Sequence, residues 1–181
     1  MNLQKAIRVD PEKCTGCRIC ELICSAQKNG EFNPKRSRIR IAKMERFFID
    51  IPTVCQQCTK PLCRKSCESG AIEKADSGIM IVDQEKCIGC GDCVTACPFD
   101  AIFVDPVDDK AIVCDLCQGD PKCVQWCPTE ALALQLDIPE KDRKKPGSTA
   151  KEAKLLVKRW KLPMDEWERY GQSNKSNRAK Q

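Results

Sequence analysis

With 181 residues, 31% of them charged and only 5% aromatic, the chain suffices for one domain or two very small ones but is poor material for a large apolar core. Sixteen cysteines and no histidine leave two readings, a disulfide scaffold or thiolate ligation of metal, and exclude any site built on imidazole. The formal charge of +5 counts every cysteine as a neutral thiol, so overall basicity is weak support for a nucleic-acid partner.

The first eleven residues, Met1 to Pro11, contain no apolar run, small-residue cleavage site or twin arginine, and so read as lacking an export signal. The longest apolar runs, such as Ile79-Met80-Ile81-Val82, fall far below the ~20 residues that cross a bilayer. A cytoplasmic protein with no membrane insertion is the expectation, and there thiols stay reduced and disulfides are rare.

A strand is predicted from Ala6 to Asp10, followed by Cys14-x2-Cys17-x2-Cys20-x3-Cys24. The same spacing returns at Cys87-x2-Cys90-x2-Cys93-x3-Cys97-Pro98. Cys55-x2-Cys58-x4-Cys63-x3-Cys67 and Cys114-x2-Cys117-x5-Cys123-x3-Cys127-Pro128 stretch only the gap before the third cysteine. One module is therefore repeated four times. Its spacing is that of bacterial ferredoxins, in which three close thiolates reach three corners of one iron–sulfur cube while the fourth cysteine points to the other cube of a pair. Zinc prefers paired knuckles, often with histidine, and fits this pattern poorly. Four [4Fe–4S] clusters, each carrying about −2 with its thiolates, would move the formal charge from +5 to about −3.

The connector from Glu68 to Lys86 carries Ala71-Ile72, a turn containing Gly78 and the strand Ile79 to Asp83, and resembles the middle of one complete two-cluster ferredoxin. Quartets two and three then form an inner unit, 55–102, and quartets one and four an outer unit, 6–26 plus 111–136. The implied sets are Cys14, Cys17, Cys20 with Cys127; Cys114, Cys117, Cys123 with Cys24; Cys55, Cys58, Cys63 with Cys97; and Cys87, Cys90, Cys93 with Cys67. Short helices are predicted to start at the fourth cysteines, with Pro98 and Pro128 in their first turns. A further strand is predicted from Ala111 to Cys114. The fold class is α+β, two nested ferredoxin-like units with short helices, antiparallel strand pairs and much irregular structure.

Residues 27–54 interrupt the ferredoxin pattern as a hairpin insertion, and the alternation from Arg38 to Ile41 predicts a strand with a solvated basic face. It reads equally as cover for the first cluster and as a docking surface. The extension 141–181 holds 13 Lys or Arg against 5 Asp or Glu. Residues 141–147 read as a linker, and Ser148 as the cap of a helix from about Thr149 to Trp160 with Ala153, Leu156, Val157 and Trp160 on one face. That face is expected to grip a partner.

From Ala6 to Leu136 the arrangement resembles the ferredoxin-type electron-transfer subunits of molybdenum and tungsten oxidoreductases. The quartets carry the resemblance together with Gly30-Glu31-Phe32-Asn33-Pro34, Ser37-Arg38-Ile39, Cys55-Gln56-Gln57-Cys58 and Pro61-Leu62-Cys63. Some members replace one ligand with tryptophan and hold a three-iron cluster; here all sixteen positions are cysteine, and Trp126 is expected to shield a cluster. The short chain and its tail are most similar to the small subunits of the tungsten aldehyde ferredoxin oxidoreductase family, which includes benzoyl-CoA reductases. The resemblance implies relay of single electrons to or from a large catalytic subunit carrying tungsten or molybdenum on a bis-pterin, with a further electron-transfer or flavin subunit as an additional partner. The chain itself would have no catalytic site. The alternatives are a polyferredoxin-type carrier, a conduit that self-associates through its tail helix, or the iron–sulfur subunit of a hydrogenase or formate dehydrogenase.

Overall fold

The computed structural model describes residues 5–136, 138 and 148–164. Strand β1 (Ala6–Val9) buries Ile7 and Val9 on one face, while on the other Ala6 is covered and Arg8 is exposed. It pairs antiparallel with β8 (Leu132–Gln135), so the segments before the first quartet and after the fourth close on one another. Helix α1 (Ile19–Asn29) carries Cys20 and Cys24 one turn apart and ends where Gly30, at φ 72, returns its N–H to the Ala26 carbonyl.

The remaining strands also pair in twos. β2 (Ile39–Met44) and β3 (Ile49–Val54) form the expected hairpin insertion around a 3-10 turn, Glu45–Phe47. β4 (Ile72–Lys74) pairs with β5 (Met80–Val82), and β6 (Ile102–Val104) with β7 (Ala111–Val113). Two-stranded ribbons are marginal by themselves. Here they meet over a shared core in which Ile7, Ile39, Ile72, Met80, Ile102 and Leu116 pack against Cys20, Cys24, Cys55, Cys87, Cys93, Cys114 and Cys123.

The sequence predicts a helix starting at each fourth cysteine; in the structure α1 runs through Cys24, and in the other three quartets the helix comes before the fourth cysteine. α2 (Leu62–Lys65), α3 (Asp92–Ala96) and α4 (Lys122–Gln125) are single turns that carry the third cysteines, Cys63, Cys93 and Cys123. After the fourth cysteine the N–H of Gly70, Asp100 or Glu130 returns to the carbonyl of Cys67, Cys97 or Cys127, with φ of 67, 51 and 53. A left-handed residue there ends a helix and feeds β4, β6 or β8. Pro98 and Pro128 occupy the second position of these turns, where their fixed φ is as well suited as in a helix. Helix α1 packs on α4 and α2 on α3, which joins the first quartet to the fourth and the second to the third. The β6–β7 ribbon joins the segment after the third quartet to the segment before the fourth.

Two further expectations change. The basic face expected from Arg38 to Ile41 is not solvated: Arg38 and Lys28 converge on Asp115, and the Arg40 guanidinium lies 4.0 Å from the centre of the Phe103 ring, while Arg36 just before it pairs with Asp105. The hairpin is thus bolted to the loops around the third and fourth quartets. Helix α5 (Ser148–Arg159) lies close to its predicted span, but the face expected to be free is filled by the chain itself. Ala153, Leu156 and Val157 form a second core with Phe47, Ile49 and Ile51 of the hairpin. Trp160 stays 43% exposed. The linker expected at 141–147 and the tail beyond 164 lie outside the described residues. Among the described residues no helix is long and apolar enough to cross a membrane.

Candidate iron–sulfur centres

All four quartets use one backbone device. The residue before the second cysteine is left-handed each time: Gly16 at φ 66, Gln57 at 51, Gly89 at 74 and Leu116 at 53. This folds the chain back between the first two thiols, and the following helical turn or 3-10 segment brings up the third. A Cβ on Gly16 would fall 2.3 Å from the Asp50 carboxylate, and one on Gly89 only 2.1 Å from the Asp109 carbonyl oxygen. Both positions favour glycine by φ, and at Gly89 the backbone contact requires it as well. Gln57 and Leu116 adopt the conformation without that freedom, each buried to within 1% of its surface.

The loops bring distant cysteines together. Cys24 lines one hollow with Cys114, Cys117 and Cys123. Cys97 lines another with Cys55, Cys58 and Cys63, and Cys67 a third with Cys87, Cys90 and Cys93. Cys14 feels the charges of Cys17 and Cys127, and Cys20 those of Cys14 and Cys17. All sixteen thiols are free of disulfides. Among the described residues no three His, Cys, Asp or Glu close on a position for a single metal ion. The thiols instead stand around a space, and that donor set and spacing suit a multi-atom cluster bound by four thiolates.

Neighbouring quartets lie side by side: α1 with Cys20 packs on α4 with Cys123, α2 with Cys63 packs on α3 with Cys93, and the Gln57 side chain of the second loop donates to the Cys114 carbonyl of the fourth. This orders them first, fourth, second, third. At the two ends of that line Cys17 and Cys90 are exposed, while the second cysteines of the inner quartets, Cys58 and Cys117, are partly covered.

Burial pushes the Cys20 and Cys114 thiols up to about 12 and those of Cys63 and Cys93 to about 11. Burial and then the neighbouring cysteines raise Cys123 as well. Thiolates are therefore disfavoured here unless bound iron compensates their charge. Burial acts upward on Cys67 and Cys127 too, but the hydroxyls of Ser69 and Thr129 and nearby backbone N–H groups outweigh it and hold both below the ordinary thiol value. Amides add direct contacts to sulfur: Arg38 to Cys24 and Ala111 to Cys87 at 3.3 Å, Gln57 to Cys55 and Ala101 to Cys97 at 3.4 Å. Such donors stabilise thiolate and set cluster potential. These outer partners are not evident from cysteine spacing; the one legible signal is a hydroxyl two residues after the fourth cysteine, Ser69 and Thr129. Trp126, expected to shield a cluster, is 61% exposed and lines none of the three hollows.

The 4Fe-4S dicluster domain family matches residues 46–137, a span that holds twelve of the cysteines, Cys55 to Cys127. The chain belongs to this family. It is 41% identical over 123 residues to the aliphatic sulfonate oxidoreductase polyferredoxin-like subunit of Pyrococcus furiosus, covering 67% of this chain and 70% of that one. To the electron transport protein HydN of Escherichia coli it is 39% identical over 153 residues, covering 72% and 87%. Among solved structures, the active site complex BamBC of benzoyl coenzyme A reductase is similar with a TM-score of 0.47 and 27% identity, over 87% of this chain and 91% of that one. This dicluster protein is thus an electron-transfer protein with [4Fe–4S] clusters as its cofactors, of the kind that serves oxidoreductase complexes.

Proposed function

We propose that the chain relays single electrons through four [4Fe–4S] clusters between the Cys17 end and the Cys90 end, serving a cytoplasmic catalytic subunit that carries tungsten or molybdenum. The observation that carries this reading is the order in which the four cysteine loops pack on one another, with an exposed thiol at each terminus and covered ones between. The sets are Cys14, Cys17, Cys20 and Cys127; Cys24, Cys114, Cys117 and Cys123; Cys55, Cys58, Cys63 and Cys97; Cys67, Cys87, Cys90 and Cys93. Each cluster, when bound, supplies a one-electron redox couple whose potential responds to hydrogen bonding and exposure. The chain's own residues do the rest. Ile7, Ile72, Met80, Ile102 and Leu116 exclude water from the interior of the line. The amides of Arg38, Gln57, Ala101 and Ala111 donate to ligand sulfur without changing protonation. No group in this arrangement is asked to act as base or nucleophile, since every thiol is assigned to iron.

Two exposed ends call for two redox partners, the catalytic subunit at one and a further electron-transfer or flavin subunit at the other. Anaerobic purification from the native host tests the proposal. About sixteen irons per chain and a co-purifying subunit with tungsten or molybdenum on a bis-pterin are expected. A partner lacking both metals sinks the catalytic assignment, and about eight irons per chain sinks the four-cluster relay.

A further inference from the structure

Where the second quartet meets the fourth, one buried side chain belongs to neither set of thiols. Gln57 is 1% exposed and sits at φ 51. Its Nε2 donates to the Cys114 carbonyl at 2.6 Å, and its Oε1 accepts the Met80 N–H at 2.7 Å. Its own N–H donates to Cys55 Sγ at 3.4 Å, and its carbonyl accepts from Lys74 Nζ at 3.4 Å. One residue therefore ties the Cys55 loop, the Cys114 loop and the β4–β5 ribbon that leads into the third quartet. The amide is the group this place demands, since it must donate in one direction and accept in the other. A buried polar group satisfied at both ends fixes geometry, and a half-satisfied one is costly. The bond to the Cys114 carbonyl is the link that sets the Cys55 loop against the Cys114 loop.

We propose that Gln57 is the positioning residue of this crossing: it fixes the Cys55 loop against the Cys114 loop and so sets the rate at which an electron passes between the inner and outer pairs. The inference rests on the relay reading given above. One electron leaves the reduced side and arrives at the oxidised side; no bond forms or breaks, and the amide keeps its protons.

The test uses intact, anaerobically prepared holoprotein reduced by a substoichiometric pulse of viologen radical, with freeze-quench EPR following redistribution among the clusters. Gln57→Met keeps length and removes both side-chain bonds; Gln57→Asn suits the left-handed backbone but is one methylene too short to span both partners. Gln84→Met, which removes a peripheral bond to the Ala111 carbonyl, is the control. With iron content unchanged, redistribution between the pairs is expected to slow about 10–100-fold in the Gln57 variants and not in the control, while exchange within each pair keeps its wild-type rate. Unchanged crossing in both Gln57 variants overturns the proposal. Loss of iron from both overturns it in favour of a purely structural role. Wild-type protein that shows no redistribution at all defeats the relay itself.

Discussion

The Nε of Arg36 lies 3.0 and 2.9 Å from the two carboxylate oxygens of Asp105, joining the start of the hairpin insertion to the loop between β6 and β7 across 69 residues of sequence. Asp105 is 2% exposed, and the same guanidinium reaches Glu31 and Asp108. Replacing Arg36 by Met leaves a buried carboxylate without its counter-charge, and a lower unfolding midpoint is expected in urea. The pH dependence follows from Asp105. Burial acts to raise its pKa, but the Val107 N–H and Arg36 hold it below its ordinary value of 3.8. A depressed carboxylate pKa stabilises the fold above the ordinary value, and that contribution fades as pH falls through the folded one. The midpoint difference between wild type and Asp105→Asn should be constant above pH ~5 and close below pH ~4.

Cys24 stands on α1 but shares its hollow with Cys114, Cys117 and Cys123. Iron analysis of serine variants reads this sharing directly. The double variant of Cys24 and Cys114 should lose the same iron as either single one, about four atoms. Cys24 with Cys14 should lose about eight. The opposite pattern would return Cys24 to its own loop.

Leu156 is 5% exposed against Phe47, Ile49 and Ile51, whereas Leu155 is 65% exposed. Leu156→Ala is expected to cost about 2–5 kcal/mol in denaturant unfolding. Leu155→Ala should fall within about 0.5 kcal/mol of wild type. Iron content should be unchanged in both, because this core contains no cysteine.

The glycines of the cysteine loops differ in what surrounds them. Gly89→Ala drives a methyl into the Asp109 backbone, which cannot swing aside; Gly16→Ala meets the Asp50 side chain, which can. Gly30, at φ 72 with nothing within 4 Å, meets only the backbone cost of about 1–2 kcal/mol. The expected order of destabilisation is Gly89→Ala, then Gly16→Ala, then Gly30→Ala, measured as the temperature at which the clusters bleach.

The repeated cysteine loops and the ribbon strands are legible because each rests on a short-range pattern: the loops recur at fixed intervals, and the strands expected at Ala6 to Asp10 and Ala111 to Cys114 form at Ala6–Val9 and Ala111–Val113. What misled lay beyond the local window. Pro98 and Pro128 fit a helix start and a β-turn equally well, and the left-handed Asp100 and Glu130 that choose the turn carry no obligatory glycine. Arg38 and Arg40 look like a solvated face because their partners, Asp115 and Phe103, are more than 60 residues away. Helix α5 looks unpartnered for the same reason, since Phe47, Ile49 and Ile51 lie about a hundred residues earlier. Gln57 stands in the sequence only as part of the Cys55-Gln56-Gln57-Cys58 motif; its importance comes from Met80 and Cys114, which no spacing rule connects to it.

The pairing of β1 with β8 also dictates a sequence of events during synthesis. A chain leaving the ribosome N-terminus first presents Ala6 to Val9 long before Leu132 to Gln135 exist, whereas β4 and β5 can close as soon as Val82 has emerged. The earliest cysteines, Cys14 to Cys24, must therefore wait through translation of nearly the whole core before their fold can close. A maturation system delivering iron and sulfide would find the middle of the chain ready first, and the N-terminal loop would be the last to be sealed.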